Sequence, residues 1–170
     1  MKDSFLKKYQ PLYFKDFIID KEYINVLNTL IKMDNLNILL VGNNGCGKTS
    51  LLEAIIREYY GETFSQDNIL YINNLQEQGI QYYRTEVKTF CQTNSNVNNK
   101  KKFIVLDDID NINEQSQQVF RNCLDKYNNN VNFIASCKNI QKVLGTFQSR
   151  MLIIELNQFT ENNLSIILEK

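Results

Sequence analysis

The stretch GNNGCGKT, Gly42 to Thr49, fits the pattern G-x-x-x-x-G-K-[ST], in which each residue type has a chemical task. Glycines let the backbone wrap a phosphate, and the amide N–H groups at the following helix N-terminus point inward to receive its oxygens. Lys48 would reach the β and γ oxygens of a nucleoside triphosphate, and the Thr49 hydroxyl a magnesium ion. The candidate nucleotide-binding residues are therefore Gly42, Asn43, Asn44, Gly45, Cys46, Gly47, Lys48, Thr49 and the adjoining Ser50. Inward amides could stabilise a thiolate at Cys46, but small size alone accounts for a cysteine there.

A second stretch, IVLDDID from 104 to 110, is an apolar run that breaks into acids. A buried strand ending this way delivers its acids to the same edge of a sheet as the glycine loop. Asp107 is the natural outer-sphere magnesium partner, and Asp108 the candidate general base for an attacking water. Taken alone, such charges would be a solvated strand end; their pairing with the loop favours function.

These residues need a scaffold that brings strand ends together. Apolar runs of strand length recur at 37–42, 68–73, 102–108, 131–137 and 151–157, each continuous and rich in Ile, Leu, Val or aromatics, as strands buried on both faces are. Between them lie helical spacings: Leu51, Leu52, Ile55 and Ile56; Tyr82, Tyr83, Val87 and Phe90; Val119, Phe120, Cys123 and Leu124. An earlier helix is expected over 21–33. The alternation predicts an α/β three-layer sandwich, a five-stranded parallel sheet with helices on both faces. The stretch 93–102 is polar and aperiodic, and reads as a loop.

Composition narrows the class. At 170 residues the chain fits one domain. No apolar stretch approaches the length of a membrane span, and the N-terminus lacks the pattern of a secretion signal, so an intracellular, non-secreted protein is expected. Four widely spaced cysteines and no histidine argue against a zinc site or disulfide framework. Nineteen basic and nineteen acidic residues cancel, so any nucleic-acid surface would have to be local. The twenty-four asparagines carry no function that we can assign.

Over nearly its whole length the chain resembles the small subunits of replication factor C-type clamp loaders, within the AAA+ ATPases. KKYQP (7–11) is similar to that family's E-K-Y-R-P, and NNLQEQGIQYYRTEVKTF (73–90) to its N-A-S-D-x-R-G-I-x-x-V-R-x-x-I-K-x-F. DDIDNINEQSQQVFRNCLDKY (107–127) resembles D-E-A-D-x-M-T-x-x-A-Q-x-A-L-R-R-x-M-E, and NIQKVLGTFQSRM (139–151) the segment ending in I-x-S-R-C. The resemblance implies ATP and Mg²⁺ as cofactors, and a role in opening a sliding clamp and placing it on primer-template DNA. It implies a hetero-pentamer with other clamp-loader subunits, at a nuclear or cytoplasmic replication site. Residues 1–35 would form the N-terminal segment and helix, 36–158 the ATPase core and 159–170 the start of a lid helix capped by Thr160; the rest of the lid and the collar are absent or truncated.

By the same resemblance Tyr9 and Pro11 would bracket the adenine. Arg84 and Lys88, on a helix beginning near Gly79, would track DNA phosphates, although residues four apart could equally be a solvated helix face. Arg150 precedes the last strand, whereas Lys48 and Asp107 follow theirs, so they belong to opposite edges of a parallel sheet. A seven-residue strand spans roughly 23 Å, which makes Arg150 an arginine finger in trans, or else one half of a surface salt bridge.

Departures from the family pattern are specific. Asp108 stands where the family has a catalytic glutamate, one methylene longer. The sensor asparagine falls on Lys138, with Asn139 one place later, which could substitute only if the strand bulged. Gln10 replaces an arginine, and Ile19 a glycine. These leave a slow or partner-dependent ATPase as first reading, a non-hydrolysing structural subunit as second, and a phosphate-loop kinase as third. A GTPase is disfavoured by the lack of an NKxD motif.

Overall fold

The computed structural model describes residues 10–72 and 80–158. Five strands, β1 (Ile38–Val41), β2 (Ile69–Ile72), β3 (Lys102–Leu106), β4 (Val131–Cys137) and β5 (Leu152–Glu155), form one sheet in the order β2-β3-β4-β1-β5. Every pairing is parallel. The helices are α1 (Lys21–Lys32), α2 (Lys48–Tyr60), α3 over 80–92, α4 (Glu114–Tyr127) and the short α5 (Gly145–Gln148). The expected α/β three-layer sandwich is what forms.

Side chains alternate across the strands, and each face collects its own core. On one face Leu39, Ile104, Leu106, Phe133 and Ala135 pack with Tyr83, Val87 and Phe120 from α3 and α4. On the other, Ile38, Leu40, Phe103, Val105 and Ile134 pack with Leu27 of α1 and Leu51, Leu52, Ile55 and Ile56 of α2. The central strands β3 and β4 are buried at every residue.

The sheet edges depart from the expectation of strands buried on both faces. On β2, Tyr71 is 48% exposed, and on β5 Leu152 and Ile153 are 41% and 38% exposed. An edge strand has a neighbour on one side only, and layers narrow there, so an apolar run does not guarantee burial. Helix α3 also departs from a plain α-helix, because Tyr83–Val87 is a π-helical stretch between Ile80–Tyr82 and Lys88–Gln92. Its wider turn still presents Tyr83, Val87 and Cys91 to the core.

Behind the acidic strand end, one buried amide ties three segments together. The Gln117 side chain, 1% exposed, donates to the carbonyls of Ile109 (3.3 Å), Ile112 (2.9 Å) and Lys142 (3.0 Å), and accepts from the Leu144 N–H (2.8 Å). Replacing it with leucine takes that partner from the Ile112 and Lys142 carbonyls and from the Leu144 N–H, while the Ile109 carbonyl keeps the Ile112 N–H at 3.0 Å. Gln117→Leu is expected to cost about 3 kcal/mol and lower the melting temperature by roughly 10 °C, read by thermal denaturation.

Candidate functional site

β1 ends at Val41 and the chain turns at Gly42, where a Cβ would lie 2.7 Å from the Cys46 Sγ and 2.8 Å from the Leu156 carbonyl oxygen. Only glycine fits that approach. The loop closes at Gly47, whose φ of 90° is left-handed, and α2 begins at Lys48. No side chain caps that helix, so its first-turn amides are left for the loop interior, the arrangement that receives anions. Asn43, Asn44 and Gly45 are exposed along the rim, Ser50 is half-buried on α2, and Cys46 is buried beneath.

Lys48 is 7% exposed, and its ammonium donates to the carbonyls of Gly42 (2.9 Å) and Asn43 (3.0 Å). Charge-assisted bonds of this kind offset the cost of burying it, and hold it at the mouth of the loop.

β4 lies between β1 and β3 in the sheet, so the ends of these three strands are neighbours. Across them runs a continuous hydrogen-bonded chain. The Thr49 hydroxyl donates to Asp107 Oδ2 (3.0 Å), the Ser136 hydroxyl donates to Asp107 Oδ1, and the Asp108 N–H donates to Ser136 Oγ (3.0 Å). The half-buried Asp107 carboxylate is thus aimed at Thr49 by a serine that sequence reading missed. A lone hydroxyl in the otherwise apolar centre of VNFIASC was its signal. Beyond it the Cys137 thiol is pushed up to about 12 by burial, reinforced by Asp110, and stays neutral.

Asp108 has φ 52° and ψ 51°, a left-handed backbone that aspartate adopts more readily than glutamate. The sensor candidates lie differently from the resemblance. β4 pairs with β1 without slip up to Cys137, so no bulge brings Asn139 round. The Asn139 carboxamide instead accepts from the Gln141 N–H (3.0 Å), and the backbone N–H groups of Lys138 and Asn139 donate to Asp110 Oδ2 at 3.3 and 3.1 Å. The Lys138 side chain is exposed.

Beside Gly47 and Cys46 opens a cleft of about 290 Å³ whose apolar lining includes Phe17, Ile18, Ile19, Tyr23 and Leu156. Pro11 is half-buried and is not part of this lining; Tyr9 lies outside the described residues. Two 3.0 Å-class contacts dock the N-terminal segment here: the Phe14 N–H donates to Glu58 Oε1 (2.9 Å), and Gln10 Nε2 to Glu53 Oε2 (2.7 Å). Because Cys46 lines the cleft, its alkylation rate is expected to fall when nucleotide is added, measured by timed alkylation and mass spectrometry.

Arg150 sits at the other edge. Leu152 pairs with Ile38, the first residue of β1, so Arg150 lies before the strands begin, about 20 Å along the strand direction from the phosphate loop. Its guanidinium is bound to Asp125, to the Thr146 carbonyl (2.6 Å) and to Ser149 Oγ (3.2 Å), while Arg121 holds the other Asp125 oxygen at 3.1 Å. Both readings of Arg150 thus have a counterpart: it is ion-paired on its own surface, and it cannot serve its own loop. Arg84 and Lys88 are exposed on α3, whose start near Gly79 lies outside the described residues, as does Thr160 with the rest of 159–170.

Among the described residues no group of three acid, cysteine or histidine side chains could hold a metal, and no helix is long and apolar enough to cross a membrane. Thr49 and Asp107 supply two hard oxygens, which suits a magnesium ion completed by phosphate and water.

Comparison with known proteins agrees with this arrangement. The family model for the ATPase family associated with various cellular activities (AAA) matches residues 38–158. The replication factor C small subunit of Sulfolobus acidocaldarius is 32% identical over 145 residues, 85% of this chain and 44% of that protein. Its counterpart in Methanosarcina barkeri is 28% identical over 94% of this chain and 48% of its own length. The chain therefore spans about half the length of the curated relatives it matches. Among solved structures, a DNA polymerase III gamma subunit-related protein from Thermotoga maritima aligns with a TM-score of 0.66 at 20% identity, over 85% of this chain and 49% of that one. A RuvB variant from the same organism gives 0.74 at 16% identity, over 95% and 53%. With its phosphate loop, acidic strand end and parallel sheet in this order, the chain belongs to the AAA family of ATPases, and its ATPase domain is related to those of the clamp loaders.

Proposed function

We propose that the chain is an ATP-binding subunit of a sliding-clamp loader, acting with neighbouring subunits on primer-template DNA. The observation that carries the nucleotide half is the Thr49–Asp107 hydrogen bond of 3.0 Å, because it joins loop and acidic strand end into one site. In this reading the amides at the start of α2 and the Lys48 ammonium bind the phosphates, Thr49 and Asp107 hold magnesium, and the cleft lined by Phe17, Ile19 and Tyr23 takes the base. The magnesium would neutralise phosphate charge. Asp108 orients the attacking water.

Assembly is supported by Arg150 and by the similarity to replication factor C small subunits. Arg150 acts in trans on a neighbour's γ-phosphate, and Arg84 and Lys88 contribute exposed charge toward DNA phosphates. The Arg150→Ala chain is expected to bind ATP at its own site unchanged, while hydrolysis in the assembly falls by on the order of 10³. An equal loss of its own ATP binding would refute the trans role.

A second reading, a subunit that binds nucleotide without hydrolysing it, is favoured by one observation: the Asn139 carboxamide is committed to the Gln141 N–H. ATP binding and turnover by the purified chain, with and without partner subunits, clamp and primed DNA, separate the two. Tight binding with no turnover in any combination leaves the second reading. Failure to bind nucleotide removes both.

A further inference from the structure

At the edge of the sheet opposite the phosphate loop, two arginines share one carboxylate. Asp125 lies in the last turn of α4; its Oδ1 accepts from Arg150 Nε, and its Oδ2 lies 3.1 Å from Nη2 of Arg121, one turn back on the same helix. The helix dipole favours a cation over an acid at that position, so Asp125 is not there for the sake of α4. Two guanidinium groups around a single acid also leave the trio with one positive charge.

The backbone that carries Arg150 is fixed without Asp125. Phe147 of α5 has no exposed surface, and the Arg150 N–H donates to its carbonyl at 3.1 Å. The Gln148 carboxamide donates to the carbonyls of Ile140 (2.9 Å) and Val143 (2.8 Å). What this leaves free is a long side chain with many rotamers. Its fork is tied down as well: Nη1 donates to the Thr146 carbonyl and Ser149 Oγ, and Nε to Asp125. Thr146 and Ser149 belong to the same turn as Arg150, so of these partners Asp125 alone stands on a separate element. Nη2 makes no hydrogen bond among the described residues.

We propose that Asp125 is a positioning residue for Arg150: it fixes the guanidinium plane and leaves Nη2 to donate to a phosphate held by a neighbouring subunit, while Arg121 keeps Asp125 in place. This rests on the trans role proposed above for Arg150 and adds the group that sets its aim. A planar guanidinium bound at both Nε and Nη1 has little left to order when an anion arrives. An acid that paired with Arg150 alone would cancel its attraction for phosphate; the second arginine on Oδ2 preserves it.

The test is a double-mutant cycle on the full chain assembled with its partner subunits, clamp and primed DNA, with kcat and KM for ATP measured for the parent, Asp125→Ala, Arg150→Ala and the double variant. Asp125→Ala is expected to lower kcat by between about 10- and 100-fold, the loss that follows a displacement near one ångström, with KM and the mass of the assembly unchanged. Alanine favours a helix and Asp125 is partly exposed, so this variant should fold and melt close to the parent. Adding Asp125→Ala to Arg150→Ala should lower kcat no further. Asp125→Asn, which keeps an oxygen for Arg150 Nε, is expected to recover most of the loss. An unchanged kcat in Asp125→Ala, beside a large fall in Arg150→Ala, would overturn the positioning role and leave the trans finger standing. Losses that multiply in the double variant, or an assembly that no longer forms, would overturn it too, since each means that Asp125 acts apart from Arg150. No fall in Arg150→Ala would remove the trans reading and this proposal together.

Discussion

Lys48→Met is expected to weaken ATP binding by on the order of a hundredfold, since about 3 kcal/mol disappears with charge-assisted bonds from its ammonium to phosphate. The ammonium already stands between two loop carbonyls, Gly42 and Asn43, so little reorganisation separates it from a phosphate oxygen. Methionine keeps the length and removes the charge. Titration calorimetry with ATP and with a non-hydrolysable analogue measures the loss. An affinity within threefold of the parent would mean that the phosphates sit elsewhere, and would dismantle the site as described.

Turnover responds differently. Asp108→Glu combined with Lys138→Asn is expected to raise steady-state hydrolysis in the assembled complex by up to about 10²-fold, the cost assigned to a water held about one ångström too far back. The structure sets a cost against this gain. Residue 108 occupies the left-handed region, which glutamate accepts less readily than aspartate, so the pair should lose on the order of 1 kcal/mol of stability. A phosphate-release assay and a thermal melt on the same protein read the two effects separately. Turnover that stays at zero would place the chain with the non-hydrolysing subunits.

The scaffold was legible because its strands are continuous apolar runs, and the central ones, β3 and β4, buried at every residue, are the clearest. Edge exposure was not legible, because residue type says what a strand could bury and not whether a layer covers it. Lys48, Thr49 and Asp107 could be read because their motifs are local in sequence. The cleft could not: Phe17, Ile18 and Ile19 reach the loop only through a 3₁₀ turn at Phe14–Asp16, docked on α2 by Glu58. Ser136 was hidden because a serine in a strand has many uses, and its role appears only when β4 is found between β1 and β3. Asn139 shows the converse limit. One residue of offset was recognised, but its side chain direction was decided by a competing local bond to Gln141. The π-helical turn in α3 has no residue signature, because a single widened turn leaves the apolar spacing nearly intact.

The carbonyl bonds of Lys48 bear also on speed. A loop held in shape by the ammonium that a phosphate will claim has little left to order when the ligand arrives, so capture consists of exchanging two hydrogen bonds. Association should then run near the rate at which small charged molecules meet an exposed rim, and selectivity among nucleotides should appear in how slowly they leave.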